Sequence, residues 1–244
     1  MFDLHSHLLP SIDDGAIDID DAVSLAKMAV ADGITHMVCT PHIHPGRYEN
    51  DKKSIETALT QLRAALQKNH VNLSVSAAAE VRFDMQLMQG VLKQEVPFLG
   101  SWQGKNVLLL EFPHSEIPFG AEQLTKWLLK HDVIPMIAHP ERNKGLMRQP
   151  TRLKPFIEMG CLLQVTAGSV AGRFGESAQN LAHELLRQDL VTILASDAHN
   201  TQYRPPILSE GLAATSSLIG ENKAKRLVLD SPREISQQHF DQPA

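Results

Sequence analysis

The sequence predicts an α/β fold, a parallel (β/α) barrel of irregular closure in one domain, and three observations carry that reading. Apolar, strand-like runs alternate with amphipathic stretches of helical period, the pattern of parallel strands joined by crossover helices. The runs number seven, one short of a regular eight-stranded barrel. Six points along the chain where such runs stop carry His, Asp or Glu. In a parallel barrel all strand C-termini meet on one face, where barrel enzymes keep their chemistry.

The elements follow in order. The chain opens on a strand that ends in Asp3-Leu4-His5-Ser6-His7. Asp18 or Asp20 can cap a helix bearing Ala22, Val23, Ala26, Met28 and Ala29, with Gly33 as its stop. Residues 34–39 form an apolar run that closes on Thr40-Pro41-His42. A helix over about residues 50–68 puts Ile55, Leu59, Leu62 and Leu66 on one face. The run 73–79 ends at Glu80, 107–110 at Glu111, and 133–137 at Ala138-His139-Pro140-Glu141-Arg142. Leu162–Thr166 is another run, and 191–195 closes on Ser196-Asp197-Ala198-His199. Helices are expected near 84–93, 121–131, 151–159, 177–188, 206–219 and 222–229. Segments 46–51 and 170–176 read as longer loops on the active face. No linker, repeat or low-complexity run divides the chain, so residues 1–244 are expected to form one domain.

Composition sets limits. With 43% hydrophobic and 21% charged residues the chain can build a sizeable core. A net charge of −5 argues against nucleic acid as a partner. Cys39 and Cys161 both lie in or beside apolar runs, the usual place for buried reduced thiols, so no disulfide framework is expected. No apolar run approaches the ~20 residues that span a bilayer. The first residues lack the basic and apolar regions of a signal peptide. The expected location is the cytoplasm, with no membrane embedding.

The strand ends point to a divalent metal. Side chains alternate along a strand, so His5 and His7 can grip one ion together, and Asp197 with His199 repeats the spacing. Taken singly, each pair could be a surface pair; their joint occurrence at the first and last strand ends argues against that. Glu80 and Glu111 end runs that should be buried, and a carboxylate there needs a cation or a salt bridge to Arg82 or Lys105. Asp13-Asp14-Gly15 reads by default as a turn, but its closeness to His7 makes Asp14 a candidate ligand. A His/Asp/Glu set without thiolate suits Mn²⁺, Fe²⁺ or Zn²⁺.

The segments His5-Ser6-His7, Ile12-Asp13-Asp14-Gly15-Ala16, Thr40-Pro41-His42, Ala79-Glu80-Val81-Arg82, Glu111-Phe112-Pro113, His139-Pro140-Glu141-Arg142-Asn143 and Ser196-Asp197-Ala198-His199 together resemble a known group. They are similar to the polymerase-and-histidinol-phosphatase (PHP) superfamily. Within it they resemble most the bacterial manganese-dependent protein-tyrosine phosphatases of capsule and exopolysaccharide synthesis. The resemblance implies a distorted (β/α)₇ TIM-like barrel and up to three divalent ions. Mn²⁺ is the implied ion, with Fe²⁺, Zn²⁺ and Mg²⁺ as alternatives. His5, His7, Glu80 and Asp197 would hold one ion; Glu80, Glu111 and His139 a second; Asp14, His42 and His199 a third. Arg142 and Arg204 would hold phosphate, since a guanidinium fork matches two phosphate oxygens, and His42 or His199 would assist the leaving group. The implied substrate is a phosphotyrosine-bearing protein, a bacterial tyrosine autokinase, attacked by water that the metal activates.

Two departures stand out. Ser11 occupies a position where the family often has glycine, and Ile43 then His44 follow the Thr-Pro-His where a second histidine is common. His44 and Arg47 are weaker candidates. The cysteine-phosphatase route needs an arginine six positions after its nucleophile, but Pro45 and Ala167 stand there instead. Competing readings are a small-molecule phosphomonoesterase such as histidinol phosphate phosphatase, a metal-dependent amidohydrolase, and a non-catalytic metal-binding or kinase-docking module. The amidohydrolase would want a bridging lysine at a strand end, and no strand end carries one.

Overall fold

The computed structural model describes residues 1–241. Its strands are β1 (Phe2–Asp3), β2 (His36–Cys39), β3 (His42–Ile43), β4 (Ser74–Ala77), β5 (Glu80–Arg82), β6 (Gly100–Trp102), β7 (Lys105–Glu111), β8 (Val133–Ala138), β9 (Leu162–Thr166) and β10 (Ile193–Ala195). β1, β2 and β4 pair in parallel, and β3, β5, β7, β8, β9 and β10 form a second parallel run. The two runs are parts of one ring. Pro41 has no N–H to donate and interrupts the path from β2 to β3, while Glu80 N donates to Pro41 O at 3.1 Å and Ala78 N to Cys39 O at 2.8 Å, carrying the pairing across the gap. Treating β2–β3 and β4–β5 as continuous paths, and leaving aside antiparallel β6, seven parallel positions remain.

The ring closes between its first and last strands. Asp197 N donates to His5 O at 2.8 Å, and His7 N donates to Ala198 O at 2.8 Å. Buried Asp3 ties the same seam, accepting from Ser196 N at 3.1 Å and from the Ser196 hydroxyl. The barrel is therefore of the distorted seven-stranded kind, and the residues that close it are neighbours of the candidate ligands.

The strands are buried on both sides, as parallel strands usually are. Val107 and Leu109 face an inner cluster with Leu4, Val38, Met136 and Ile193, while Leu108 and Leu110 pack outward against the helices. The same alternation carries Glu111 and Gln164 to the inner side. The helices are α1 (Ile19–Ala31), α2 (Lys52–Lys68), α3 (Leu87–Leu92), α4 (Ala121–Lys130), α5 (Lys144–Arg148), α6 (Lys154–Glu158), α7 (Ala167–Val170), α8 (Glu176–Arg187), α9 (Ser209–Ile219), α10 (Glu221–Val228) and α11 (Asp230–Phe240). Asp18 caps α1 through Asp21 N at 2.8 Å, and Asp51 with Ser54 forms a capping box on α2. Ile55, Leu59, Leu62 and Leu66 are all buried on α2.

Some elements differ from expectation. The helix expected over 84–93 contracts to α3, because the Asp84 carboxylate takes Gln86 N at 2.7 Å in a turn. The one expected over 151–159 splits into a 3₁₀ turn, Pro150–Leu153, and α6, whose first turn holds Pro155. β6 was not anticipated; it returns to β7 through Gln103 (φ 52°) and Gly104 (φ 79°), the left-handed pair of a tight hairpin. α11 plugs the barrel end opposite the ligands, with Ile235 in the inner cluster. Gly100 allows that approach: a Cβ there would lie 1.8 Å from Ile235 O. Among the described residues no helix is long and apolar enough to cross a membrane.

Candidate metal centre

Four candidate ligands reach the barrel mouth fully buried: His5, His7, Glu80 and Asp197. Glu80 begins β5, His5 and His7 follow β1, and Asp197 follows β10. Oε2 of Glu80 lies 3.3 Å from His5 Nε2, 3.3 Å from His7 Nε2 and 3.1 Å from His42 Nδ1. Its Oε1 lies 2.8 Å from His139 Nε2. Asp197 Oδ1 is 3.2 Å from His5 Nε2 and 3.4 Å from His7 Nε2. One carboxylate thus meets four imidazoles, the position a bridging ligand takes.

The imidazoles are aimed by what stands behind them. His5 Nδ1 lies 2.8 Å from Gln164 Oε1, His7 Nδ1 lies 2.6 Å from Asp13 Oδ2, and His199 Nδ1 lies 3.0 Å from the Asp197 carbonyl. Each ring then donates from Nδ1 and turns an Nε2 lone pair to the centre, the arrangement that orients metal-binding histidines. Asp13 also accepts from Gly15 N at 2.9 Å and His42 N at 3.1 Å, so it fixes the loop as well as the ring.

Three groups of donors lie within 4.8 Å of one another: His5, His7, Glu80 and Asp197; His7, Asp14, His42 and His199; and His42, Glu80 and Glu111. Asp197 Oδ1 and His42 Nδ1 are buried and, although they lie 3.1–3.4 Å from neighbouring imidazole or carboxylate atoms, neither makes a contact of hydrogen-bond geometry. Burying unpaired acceptors is costly, and convergent lone pairs of this hard, mixed O/N set fit divalent cations. Glu111 and His139, expected to share an ion with Glu80, both lie beside that carboxylate, although His139 falls in none of the three groups. Glu111 stands with His42 and Glu80 and also pairs with Arg82 Nη1 at 3.0 Å, while His139 Nε2 meets Glu80 Oε1 at 2.8 Å. His44 stays outside all three groups, its backbone paired with Tyr48 in the loop after β3.

Arg142 and Arg204 each donate from Nη2 to the same Asp197 oxygen, Oδ2. Arg142 also lies under the Phe174 ring, 4.8 Å from its centroid. Arg47 is largely exposed, 3.9 Å from Asp14 Oδ2 and 4.9 Å from the Tyr48 ring, which in turn stacks on His42.

The profile of the family described as capsular polysaccharide synthesis, CpsB/CapC, matches residues 1–237. The chain belongs to the CpsB/CapC family. It is similar to the tyrosine-protein phosphatase YwqE of Bacillus subtilis, 37% identical over 84% of this chain and 79% of the relative. The putative tyrosine-protein phosphatase CapC of Staphylococcus aureus is 34% identical over 86% of this chain and 81% of its own. A crystal structure from a study of YwqE and of CpsB from Streptococcus pneumoniae, described as unique metal-dependent tyrosine phosphatases, superposes with a TM-score of 0.90 at 33% identity, covering 98% of this chain and 96% of that one. An organophosphorus hydrolase from Deinococcus radiodurans, 12% identical with a TM-score of 0.55 over 96% of this chain and 92% of its own, shares the fold.

In this CpsB/CapC chain charge is steeply partitioned. Burial would raise the Asp197 and Glu80 carboxyls, but Arg142, Arg204 and His5 around Asp197, and His5 and His42 around Glu80, hold both well below the usual range. Burial, joined by Arg142, pushes His139 down to about 4 and leaves it neutral. Burial and the charge of His7 hold His199 well below the usual imidazole value. His7 goes the other way: burial opposes, and the Asp13, Asp197 and Glu80 carboxylates together outweigh it.

Backbone strain marks the same places. His139 (φ 32°) and Asp197 (φ 52°) adopt left-handed conformations that cost side-chain-bearing residues energy. Ser11 (φ 64°) does so too, which explains the preference for glycine there, and its hydroxyl bonds Ile17 O at 2.8 Å. Sequence reasoning missed Asp13 and Gln164 as partners of the ligands. The signal for Gln164 was present: an amide at an inward position of an otherwise apolar strand needs a polar partner.

Proposed function

We propose that this chain is a metal-dependent protein-tyrosine phosphatase acting on phosphotyrosyl proteins of capsule or exopolysaccharide synthesis. The observation that carries the reading is the convergence of buried, partnerless lone pairs beside two guanidiniums, within a chain of the CpsB/CapC family. Mn²⁺ is the proposed ion, in up to three sites. His5, His7, Glu80 and Asp197 would hold the first, Glu80, Glu111 and His139 the second, and Asp14, His42 and His199 the third. Divalent ions so held would act as Lewis acids, lowering the pKa of bound water toward ~7 and offsetting phosphoryl charge.

The chain's own residues do the rest. Arg142 and Arg204 grip non-bridging phosphoryl oxygens through charge-assisted contacts that stay cationic at any working pH. Their shared contact with Asp197 fixes both forks toward one point. A phenol leaves readily without a strong acid, so this reading needs His42 and His199 as ligands and asks no imidazole to supply the proton. A thiol route has no footing: Cys39 and Cys161 are buried, and burial pushes both thiols up to about 12. A tyrosine autokinase as phosphoprotein, and a cytoplasmic location consistent with reduced thiols, complete the proposal.

The test uses metal-stripped protein, reloaded with Mn²⁺, on a phosphotyrosyl peptide, a phosphoseryl peptide and histidinol phosphate. Mn²⁺-dependent release from the phosphotyrosyl peptide, well above the other two, is expected. Faster turnover of histidinol phosphate would replace the reading with the small-molecule one, and no turnover of any would leave a binding module.

A further inference from the structure

We propose that Phe174 is a specificity-determining residue, an aromatic wall against which the phenyl ring of phosphotyrosine packs while Arg142 holds its phosphate. This rests on the phosphatase reading above and goes beyond it by naming what selects an aryl ester.

The argument starts with Arg142. One end of its guanidinium meets Asp197, beside the phosphate-handling centre, and its face lies 4.8 Å from the Phe174 ring centroid. In an aryl phosphate the ring is attached directly to the ester oxygen. A surface that touches the ring must therefore adjoin the group that holds the phosphate, and Phe174 is the aromatic ring packed on Arg142. Phe174 is partly buried, so part of the residue stays accessible.

The placement is built. Phe174 lies between Gly172 (φ 91°) and Gly175 (φ 86°), in the loop joining α7 to α8. Buried Glu141, next to Arg142 in sequence, holds the start of that segment: its Oε1 accepts from Thr166 N at 3.0 Å and from the Ser169 hydroxyl at 2.8 Å. Arg173 anchors the loop to α9 through a two-pronged contact with Glu210, whose second prong is 2.9 Å. The Phe174 ring lies over Gly168, where a Cβ would come within 3.2 Å of Cε2. Consecutive residues thus set the two halves of the device, Arg142 by its charge and Glu141 by its hold on the loop. Such an aromatic pair contributes roughly a two- to tenfold gain in binding beyond simple area burial.

The experiment compares wild type, Phe174→Ala and Phe174→Tyr in Mn²⁺-loaded protein. It reads kcat/KM on a phosphotyrosyl and a phosphoseryl peptide, and competitive inhibition by phenylphosphonate, methylphosphonate and inorganic phosphate. The inference expects Phe174→Ala to lose about two- to tenfold on the phosphotyrosyl peptide and on phenylphosphonate. Methylphosphonate and inorganic phosphate should be unmoved, and Phe174→Tyr should keep the wild-type pattern. Equal losses on phenylphosphonate and inorganic phosphate would overturn it, reducing Phe174 to a buttress of Arg142. An unchanged phenyl-to-methyl ratio would overturn it as well. A wild type inert toward phosphotyrosine, yet bound by phenylphosphonate in a Phe174-dependent way, would fail the phosphatase reading instead.

Discussion

Oδ2 of Asp13 stands 2.6 Å from Nδ1 of His7, on the side of the ring away from the centre. This contact favours the tautomer that presents Nε2, so Asp13 is expected to act on metal binding without touching metal. Asp13→Asn keeps an acceptor oxygen but removes the charge. Its Mn²⁺ affinity is expected to fall about 10- to 100-fold while the melting temperature of the metal-free protein changes little. Calorimetric Mn²⁺ titration against wild type decides; equal affinities would remove Asp13 from the centre's support.

Chelation tests the clustered carboxylates directly. Asp14, Glu80, Glu111 and Asp197 crowd one mouth, and bound cations would offset their repulsion. EDTA should abolish phosphotyrosine hydrolysis and lower the melting temperature, and Mn²⁺ in excess should restore both, because a ligand that binds only the folded state stabilises it. Full activity in EDTA would defeat the metal reading.

Glu80 should be the most sensitive ligand. It contacts His5, His7, His42 and His139, so Glu80→Ala disturbs more than one ion. Metal stoichiometry and kcat are expected to fall further than in His5→Ala or His42→Ala. A Glu80→Ala protein carrying its full metal complement would place the bridge elsewhere.

Arg142→Ala should leave metal content intact and lower kcat/KM by about 30- to 1,000-fold, a bidentate charge-assisted contact being worth roughly 2–4 kcal/mol. Arg142→Lys should recover part of this, since an ammonium keeps the charge and loses the fork. Loss of metal together with activity would instead make Arg142 a support for Asp197, which it touches.

The two thiols should be silent. Raised to about 12, Cys39 and Cys161 hold almost no thiolate at pH 7.5, so iodoacetamide should neither label the folded protein nor slow it. Labelling of both after denaturation is the control. Loss of activity on alkylation of folded protein would reopen a thiol mechanism.

Much of the barrel was legible because parallel strands buried on two sides read as plain apolar runs, and their ends carried ligands. Leu162–Thr166 has the limits its composition suggested. What stayed hidden depends on tertiary contact. α11 exists as a barrel plug because Gly100 yields to Ile235 O, a fact no local pattern carries. β6 needs only Gln103-Gly104 and a partner strand, and the polar turn alone was too weak a signal. In the centre, residue types announced a ligand set, but the way the Glu80 carboxylate meets His5, His7 and His42 through Oε2 and His139 through Oε1 depends on side-chain geometry. Asp13 was hidden by its own turn sequence, which explains its presence without the imidazole it holds.

The seam of the barrel also sets a schedule. Ser196 and Asp3, which tie that seam, lie 193 residues apart in the chain. A ribosome-bound fragment stopped short of Ser196 already carries His5, His7, Glu80 and Glu111, but lacks the carboxylate and imidazole that follow. Metal capture in the proposed arrangement would therefore wait until the last strand has emerged and paired beside the first. Contacts so distant in sequence form slowly, which would make metallation of the proposed centre a late step in this chain's folding.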